Sequence, residues 1–177
     1  MKITVFGSSK PKAGQPAYET AMQLGRMIAE GGHTVLTGGY MGTMEAVSRG
    51  AAEAGGHVIG VTCEEIERWR KNGPNPWVKE EWRCQTLLER MQKLIYGCDS
   101  AIVLPGGPGT LAEANLYWNL LVIHALPPRP LVLVGHGWKT IYDTIRQQME
   151  EYAHAGDWDF LQFASTIEQA YQMAIRQ

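Results

Sequence analysis

The residues best suited to chemistry lie in a glycine-rich turn that follows a short apolar run. The turn reads Pro105-Gly106-Gly107-Pro108-Gly109-Thr110, and Glu113 follows three residues after Thr110. Glycines let the backbone approach a ligand closely, and the first turn of a helix offers free N–H groups with a partial positive charge. The turn therefore predicts a site for a phosphate group. Its predicted contacts are Gly106, Gly107, Gly109 and Thr110.

A second turn of similar composition, Gly38-Gly39-Tyr40-Met41-Gly42-Thr43, also follows a predicted strand and opens a helix. A shorter turn, Gly7-Ser8-Ser9, ends the first strand. Neither glycine-rich turn matches the dinucleotide fingerprint Gly-x-Gly-x-x-Gly, and tight connections without a ligand are the alternative interpretation. Because the carboxyl ends of parallel strands share one edge, we predict that the turns form one phosphate site. The predicted contacts that these two turns contribute to the phosphate site are Ser8, Gly39, Gly42, Thr43 and Glu45.

Two charged residues are the catalytic candidates. Glu113 and Thr110 are three apart, which puts both on one side of a helix and directs the carboxylate toward the phosphate. A helix-dipole partner is the simpler role for Glu113, and more so for Glu45. Arg90 lies in an apolar helical pattern, either as a surface residue with a buried stem or as a cleft residue that pairs with phosphate. Spacing alone leaves both roles open.

Short β-branched runs alternate with longer amphipathic patterns along the chain. Apolar runs of this kind are typical of strands that are buried on both faces. The βαβα order predicts an α/β fold, a Rossmann-like doubly wound parallel sheet, in one domain over residues 1–177. The predicted strands are 3–6, 34–37, 58–61, 82–86, 101–104 and 131–134. The predicted helices are 18–30, 44–54, 87–96, 111–124, 141–152 and 167–176.

The segment 63–80 has a less regular pattern. It carries the turn cluster Asn72-Gly73-Pro74-Asn75-Pro76, which predicts a mobile loop, with a lid over the cleft as one interpretation. The basic stretch Arg68-Trp69-Arg70-Lys71 beside Glu64, Glu65 and Glu67 is interpreted as a solvated segment.

Composition excludes several classes of protein. The 177 residues carry a net charge of −2 without a basic cluster, so we expect no nucleic-acid partner. Three widely spaced cysteines and five scattered histidines predict neither a disulfide framework nor a metal site, and no cofactor is expected. The first residues resemble a strand rather than a signal peptide, and no apolar run is long enough to span a membrane. We therefore expect a cytoplasmic protein.

Between Arg90 and Glu113 the sequence resembles the Lonely Guy (LOG, "lysine decarboxylase-like") family. The signature is an arginine, an aspartate nine residues later, and then Pro-Gly-Gly-x-Gly-Thr-x-x-Glu, which Arg90, Asp99 and the run from Pro105 to Glu113 match. The resemblance covers roughly residues 2–135. It implies a Rossmann-like fold, a homodimer, and hydrolysis of nucleoside 5′-monophosphates such as AMP or cytokinin ribotides. It also implies that Arg90 and Glu113 are catalytic.

Three positions depart from the hydrolase pattern. Many family hydrolases have a second glutamate where Ala112 stands, a lysine where Met91 stands and a small residue where Glu45 stands. With these residues the sequence resembles a branch of the family that includes molybdenum cofactor carrier-like proteins. A protein that binds a nucleotide or pterin-type phosphate ligand without turnover is therefore the second hypothesis, and an unrelated Rossmann-like enzyme, such as a transferase, is the third.

The predicted long helix has more apolar surface than a single buried face requires. Its apolar residues run from Leu116 to Leu126. Such a helix either contributes to a dimer interface or is buried on most sides in the core. With the resemblance, it favours a homodimer.

Overall fold

Seven parallel strands form one sheet in the computed structural model, which describes residues 1–70 and 73–176. Their order is β4-β3-β2-β1-β5-β6-β7, and every neighbouring pair is parallel. The predicted doubly wound parallel sheet is therefore confirmed. The strands are β1 Lys2–Phe6, β2 Thr34–Thr37, β3 Val58–Cys63, β4 Glu80–Cys84, β5 Ser100–Val103, β6 Leu131–Val134 and β7 Gln162–Ala164.

Helices cover both faces of this sheet. Helices α1 (Pro16–Glu30), α2 (Thr43–Glu53) and α7 (Ile167–Ala174) pack on one face. The other face carries α4 (Leu87–Tyr96), α5 (Pro108–Val122) and α6 (His136–Gln148), with α3 (Glu64–Arg70) near its edge. Two short 3-10 helices, Glu150–Tyr152 and Ala155–Phe160, follow α6. None of the helices in the described part of the chain is both long and apolar enough to cross a bilayer.

Alternate residues of the central strands supply two separate cores. Ile3 and Val5 of β1 face the layer of α1, α2 and α7, whereas Phe6 belongs to the opposite core. Every residue of β3, β5 and β6 is buried, as expected for parallel strands that are covered on both sides.

The largest differences between the structure and the sequence-based elements lie at three places, and β4 (Glu80–Cys84) also begins two residues before its predicted start. Residues 64–70, expected to be irregular, form α3, which buries none of its residues and so lacks an apolar period. Helix α6 begins at His136 rather than at 141 and ends at Gln148. Strand β7 was not predicted, because its three residues are too few for an alternating pattern. Asn72 of the predicted turn cluster lies outside the described residues.

Helices α1 and α2 approach closely because each presents a glycine to the other. A Cβ atom on Gly25 would lie 2.0 Å from the carbonyl oxygen of Val47, and one on Gly50 would lie 1.8 Å from that of Met22. No real contact is that short, so both positions must be glycine for the helices to pack this closely. The close packing fixes α2, which begins at the end of β2 beside the cleft.

We expect Gly50→Ala to lower the free energy of unfolding by about 1–3 kcal/mol, because the added methyl group must push the two backbones apart. Gly137→Ala is the matched control. Gly137 is also helical, in α6, but an added Cβ has open space there, so its effect should stay within about 1 kcal/mol. Urea denaturation of both variants measures the difference. Equal effects of the two substitutions would contradict close packing at Gly50.

Candidate functional site

The cleft with the predicted glycine-rich turn opens at the carboxyl edge of the sheet, around the ends of β1 and β5. Its volume is about 370 Å³. The chain leaves β1 toward β2 on one side and leaves β5 toward β6 on the other. Such a reversal of strand order is where ligands bind in open α/β sheets. The turns after both strands line the cleft, with Ser8, Ser9 and Lys10 on one side and Gly107 to Thr110 on the other.

The start of α5 has the form of an anion site. Gly107 is the N-cap and Pro108 the first helical residue, so α5 begins three residues before its predicted start at 111. Pro108 fits there because the N–H that it lacks would have no partner in the helix. Among the described residues, no side chain caps the helix and its first turn holds no acidic residue, so the dipole there is not offset locally.

Thr110 is buried at the base of this turn and lines the cleft. Gly106 does not line it. A Cβ atom on Gly106 would lie 2.2 Å from Oγ1 of Thr110, so the glycine lets the turn fold over the threonine. The turn after β1 is also locally ordered, since Oγ of Ser8 accepts a hydrogen bond of 3.1 Å from the backbone N–H of Lys10.

Arg90 and Glu113 form an ion pair in the cleft. Nη1 of Arg90 lies 3.3 Å from Oε1 of Glu113, and the side chains are 5% and 13% exposed. Nε of Arg90 donates a hydrogen bond of 2.8 Å to the carbonyl oxygen of Val61, and Nη2 lies 3.8 Å from Sδ of Met44. Four elements therefore meet at one guanidinium. Of the two roles left open by the sequence, the structure gives Arg90 a place in the cleft.

A glycine makes room for this guanidinium at the end of β2. A Cβ atom on Gly38 would lie 1.7 Å from Nη2 of Arg90. The ring of Tyr40 lies on another side of the group, with its centroid 5.6 Å from the guanidinium carbon. The cation is thus enclosed by an aromatic face and a glycine backbone.

Burial raises the pKa of Glu113 to about 7, against an ordinary value of 4.5, although the attraction and hydrogen bond of Arg90 act in the opposite direction. A carboxyl group in this range exchanges protons near neutral pH. It suits general acid–base chemistry better than a fully ionised surface carboxylate does.

The second glycine-rich turn supports the cleft but contributes few of its walls. Gly38, Tyr40 and Met44 line the cleft, whereas Gly39, Gly42 and Thr43 do not. The backbone N–H of Thr43 donates to the carbonyl oxygen of Ser8 at 2.8 Å. Gly39 and Gly42 both have positive φ angles, 76° and 75°, and a Cβ on Gly42 would lie 2.5 Å from the same Ser8 oxygen. This turn holds the loop after β1 in place.

Glu45 also lies outside the cleft lining. Its carboxylate accepts a hydrogen bond of 3.3 Å from the hydroxyl group of Tyr18 in α1. The structure thus gives Glu45 a contact between α1 and α2, because its position on α2 turns it toward the neighbouring helix.

Sequence reasoning missed several lining residues. Tyr40 is buried, and its hydroxyl group donates to the carbonyl oxygen of Cys63 at 3.1 Å, which fixes the turn to β3. Asn75 is buried as well and donates to the carbonyl oxygens of Gly39 and Tyr40. The missed lining residues include Lys10, Tyr40, Ile66, Trp69, Arg70 and Leu87. Only Tyr40 had a usable signal, its place inside a glycine-rich turn.

Comparison with known proteins gives a family match. A model of the SLOG cluster4 family matches residues 1–126. Among curated proteins, a probable cytokinin riboside 5′-monophosphate phosphoribohydrolase of Oryza sativa subsp. japonica, LOGL5, is 31% identical over 158 residues, covering 88% of this chain and 61% of that protein. The corresponding LOG7 enzyme of Arabidopsis thaliana is 34% identical over 140 residues, covering 76% and 63%. The chain spans about three fifths of the length of these relatives.

Solved structures share the fold over almost the whole chain. The molybdenum cofactor binding protein of Rippkaea orientalis superposes with a TM-score of 0.75 at 22% identity, over 97% of this chain and 93% of that one. The molybdenum cofactor carrier protein of Chlamydomonas reinhardtii gives 0.70 at 23% identity, over 99% and 98%. Similarity at this level of identity establishes the fold.

The raised pKa of Glu113 predicts a pH dependence of stability. Between pH 4.5 and 7 the folded protein holds the Glu113 proton more tightly than the unfolded chain does, so this group's contribution to the free energy of unfolding falls as pH rises. Relative to Glu113→Gln, the wild type should lose at most about 3 kcal/mol between pH 4.5 and 8, at about 1.4 kcal/mol per pKa unit. Urea denaturation across this range measures the difference.

Glu30→Gln, at the exposed end of α1, controls for removal of a surface carboxylate. The quantity to follow is the free energy of unfolding of the wild type minus that of Glu113→Gln. If this quantity stays constant or rises with pH, the pKa of Glu113 is not raised.

Proposed function

Because the chain belongs to the SLOG cluster4 family, we propose that its cleft binds a nucleoside 5′-monophosphate and hydrolyses the bond between base and ribose. The observation that carries the proposal is the Arg90–Glu113 pair, which lies in one cleft with the uncapped start of α5. The names of the curated relatives from rice and Arabidopsis support it.

The phosphate binds at the start of α5 in this proposal. Backbone N–H groups at a helix N-terminus and the hydroxyl group of Thr110 bind the anion. Ser8 and Lys10 approach from the loop after β1. Holding the phosphate, which does not react, orients the sugar so that binding energy serves the reacting bond. Gly106, Gly39, Gly42 and Thr43 act by shaping these two turns.

Glu113 is the catalytic residue of the proposed reaction. As the bond from C1′ to the base nitrogen breaks, the ribose gains positive character, which a nearby carboxylate stabilises. Water adds its oxygen to C1′, and its proton passes to Glu113 and then to the departing base. The products are the free base and ribose 5-phosphate. Arg90 is a positioning residue that holds the carboxylate at 3.3 Å.

We expect purified wild-type protein to release free base from at least one member of a panel of nucleoside 5′-monophosphates that includes AMP and a cytokinin ribotide. Glu113→Gln should lower kcat by a factor of about 10²–10⁴, while AMP still raises the melting temperature. Chromatography of the base measures turnover, and Glu30→Gln is the control. As Glu113 must be ionised to accept a proton, activity should rise with pH toward about 7. Unchanged turnover in Glu113→Gln would reject this assignment.

The second candidate is a carrier that binds molybdenum cofactor, or another phosphate-bearing ring compound, without turnover. It is favoured by the structural neighbours and by Ala112, which lines the cleft where many hydrolases have a second glutamate. The same panel separates the two candidates. Absence of base release from every substrate, with a ligand-induced rise in melting temperature, would favour the carrier.

We also infer that the protein forms a homodimer through the outer surfaces of α4 and α5. Leu88 and Tyr96 of α4 are 75% and 50% exposed, and Ile123 at the end of α5 is 59% exposed. Exposed apolar groups on neighbouring helices are typical of an interface, and a self-complementary patch gives a twofold dimer.

Light scattering should give a solution mass about twice the chain mass of 19.7 kDa. Leu88→Asp should shift that mass toward the monomer without unfolding the chain, because the side chain is exposed in the protomer. Tyr152→Asp, at a site that is 82% exposed in a 3-10 helix, should leave the mass unchanged. A wild-type protein that stays monomeric at micromolar concentration would contradict the dimer.

A further inference from the structure

The order of strands separates two ends of the cleft. From one side to the other, the edge of the sheet presents β3, β2, β1 and β5. Neighbouring strands lie about 4.8 Å apart, so β3 and β5 are separated by about 14 Å along this edge. A ligand that reaches from one to the other is therefore extended, and its two ends meet different residues.

The chemistry of the two ends differs. The β1 and β5 end is polar, with Ser8, Lys10 and the open start of α5. The β3 end is mostly apolar, where α3 and α4 contribute Ile66, Leu87 and Met91, and Arg70 of α3 adds one cation. A ligand that matches both ends carries an anion at one end and a flat, largely apolar group at the other.

Trp69 lies at this apolar end of the cleft and is 77% exposed. All six tryptophans lie within the described residues, and the other five are buried or half-buried. The guanidinium of Arg70 lies over the ring, 5.0 Å from its centroid, which covers one face and leaves the other for a ligand. An exposed indole at the edge of a cleft supplies a large, flat, amphipathic contact surface.

Helix α3 is fixed to the cleft although it buries none of its own residues. The carboxylate of Glu65 accepts a hydrogen bond of 2.7 Å from the backbone N–H of Leu87. Glu67 pairs with Arg83 of β4 at 2.7 Å and lies 3.4 Å from the hydroxyl group of Tyr40. These contacts hold the next turn of the helix, and with it Trp69, at the cleft.

We propose that Trp69 is the platform on which the base of the nucleotide stacks, and that it makes the site favour bases with large ring systems. The proposal rests on the nucleotide-binding part of the proposed function. With the phosphate at α5 and the base at α3, the ribose crosses the middle of the cleft beside the Arg90–Glu113 pair. Stacking on an aromatic side chain tolerates different bases and increases with ring area.

The test compares ligands with and without a base. Calorimetric titrations use AMP, CMP and ribose 5-phosphate in the Glu113→Gln background, so that nucleotides are not consumed. Trp69→Ala should weaken AMP binding by about 5- to 150-fold, which corresponds to a stacking free energy of about 1–3 kcal/mol. CMP should lose less, and ribose 5-phosphate should bind unchanged.

Two further variants serve as controls. Trp69→Phe should recover most of the AMP affinity, because it restores an aromatic face. Tyr152→Ala removes an aromatic side chain that is 82% exposed and does not line the cleft, and it should bind AMP as the parent protein does. Circular dichroism should show the same fold for all variants, since both aromatic side chains are exposed.

The outcomes separate this proposal from the hydrolase. Equal AMP affinity with and without Trp69 overturns the platform and leaves hydrolysis untouched. A loss of AMP affinity in Trp69→Ala supports the platform even if the wild-type protein releases no base, a result that would reject hydrolysis alone. A parent protein that binds neither AMP nor CMP overturns both. Equal losses for AMP and ribose 5-phosphate would show a general disturbance of the cleft and overturn the platform.

Discussion

The buried charge of Arg90 constrains the site more than any other interaction. A cation that is 5% exposed is costly unless its hydrogen bonds and its charge are satisfied. Here the partners come from separate elements: a β3 carbonyl oxygen, the carboxylate of Glu113 on α5, and Met44 of α2. The guanidinium is compensated only when these elements have packed together. Folding of the core and assembly of the site are therefore linked. Gly38 at the end of β2 must lack a side chain, because the guanidinium of Arg90 occupies the space that a Cβ atom would need.

The two glycine-rich turns look alike in sequence but contribute differently. After β5, at the reversal of strand order, the glycines stay exposed and α5 begins facing the cleft. After β2 the turn is covered by its neighbours, since Thr43 bonds to the backbone of Ser8 and Asn75 bonds to Gly39 and Tyr40. The glycines of this turn permit close packing instead of close approach to a ligand. Their shared composition reflects one backbone requirement, which two different surroundings put to different uses.

Local patterns were sufficient to predict most of the fold from the sequence. Buried strands and helices that end at glycines can be predicted from short segments of sequence. The resemblance to the Lonely Guy family is confirmed by the family match. The misses lie where tertiary contacts decide. Helix α3 has no apolar period and is held by Glu65 and Glu67 through residues distant in the chain. Trp69 therefore looked like part of a solvated segment, and the contact of Glu45 with Tyr18 was equally invisible.

The lining charges make the cleft a better site for an anion than for a neutral ligand. Lys10, Arg70 and Arg90 are cationic, and Glu113 is the only acidic residue among the lining side chains in the described part of the chain. Ala112 leaves this carboxylate without a second one beside it, so Arg90 is shared with no other acid of the lining. An anion site of this kind serves either proposed function, since both proposed ligands carry a phosphate group, and the fold alone does not distinguish the two. The two proposed functions differ in whether the bound ligand places a cleavable bond next to Glu113, the carboxyl group whose pKa burial raises to about 7.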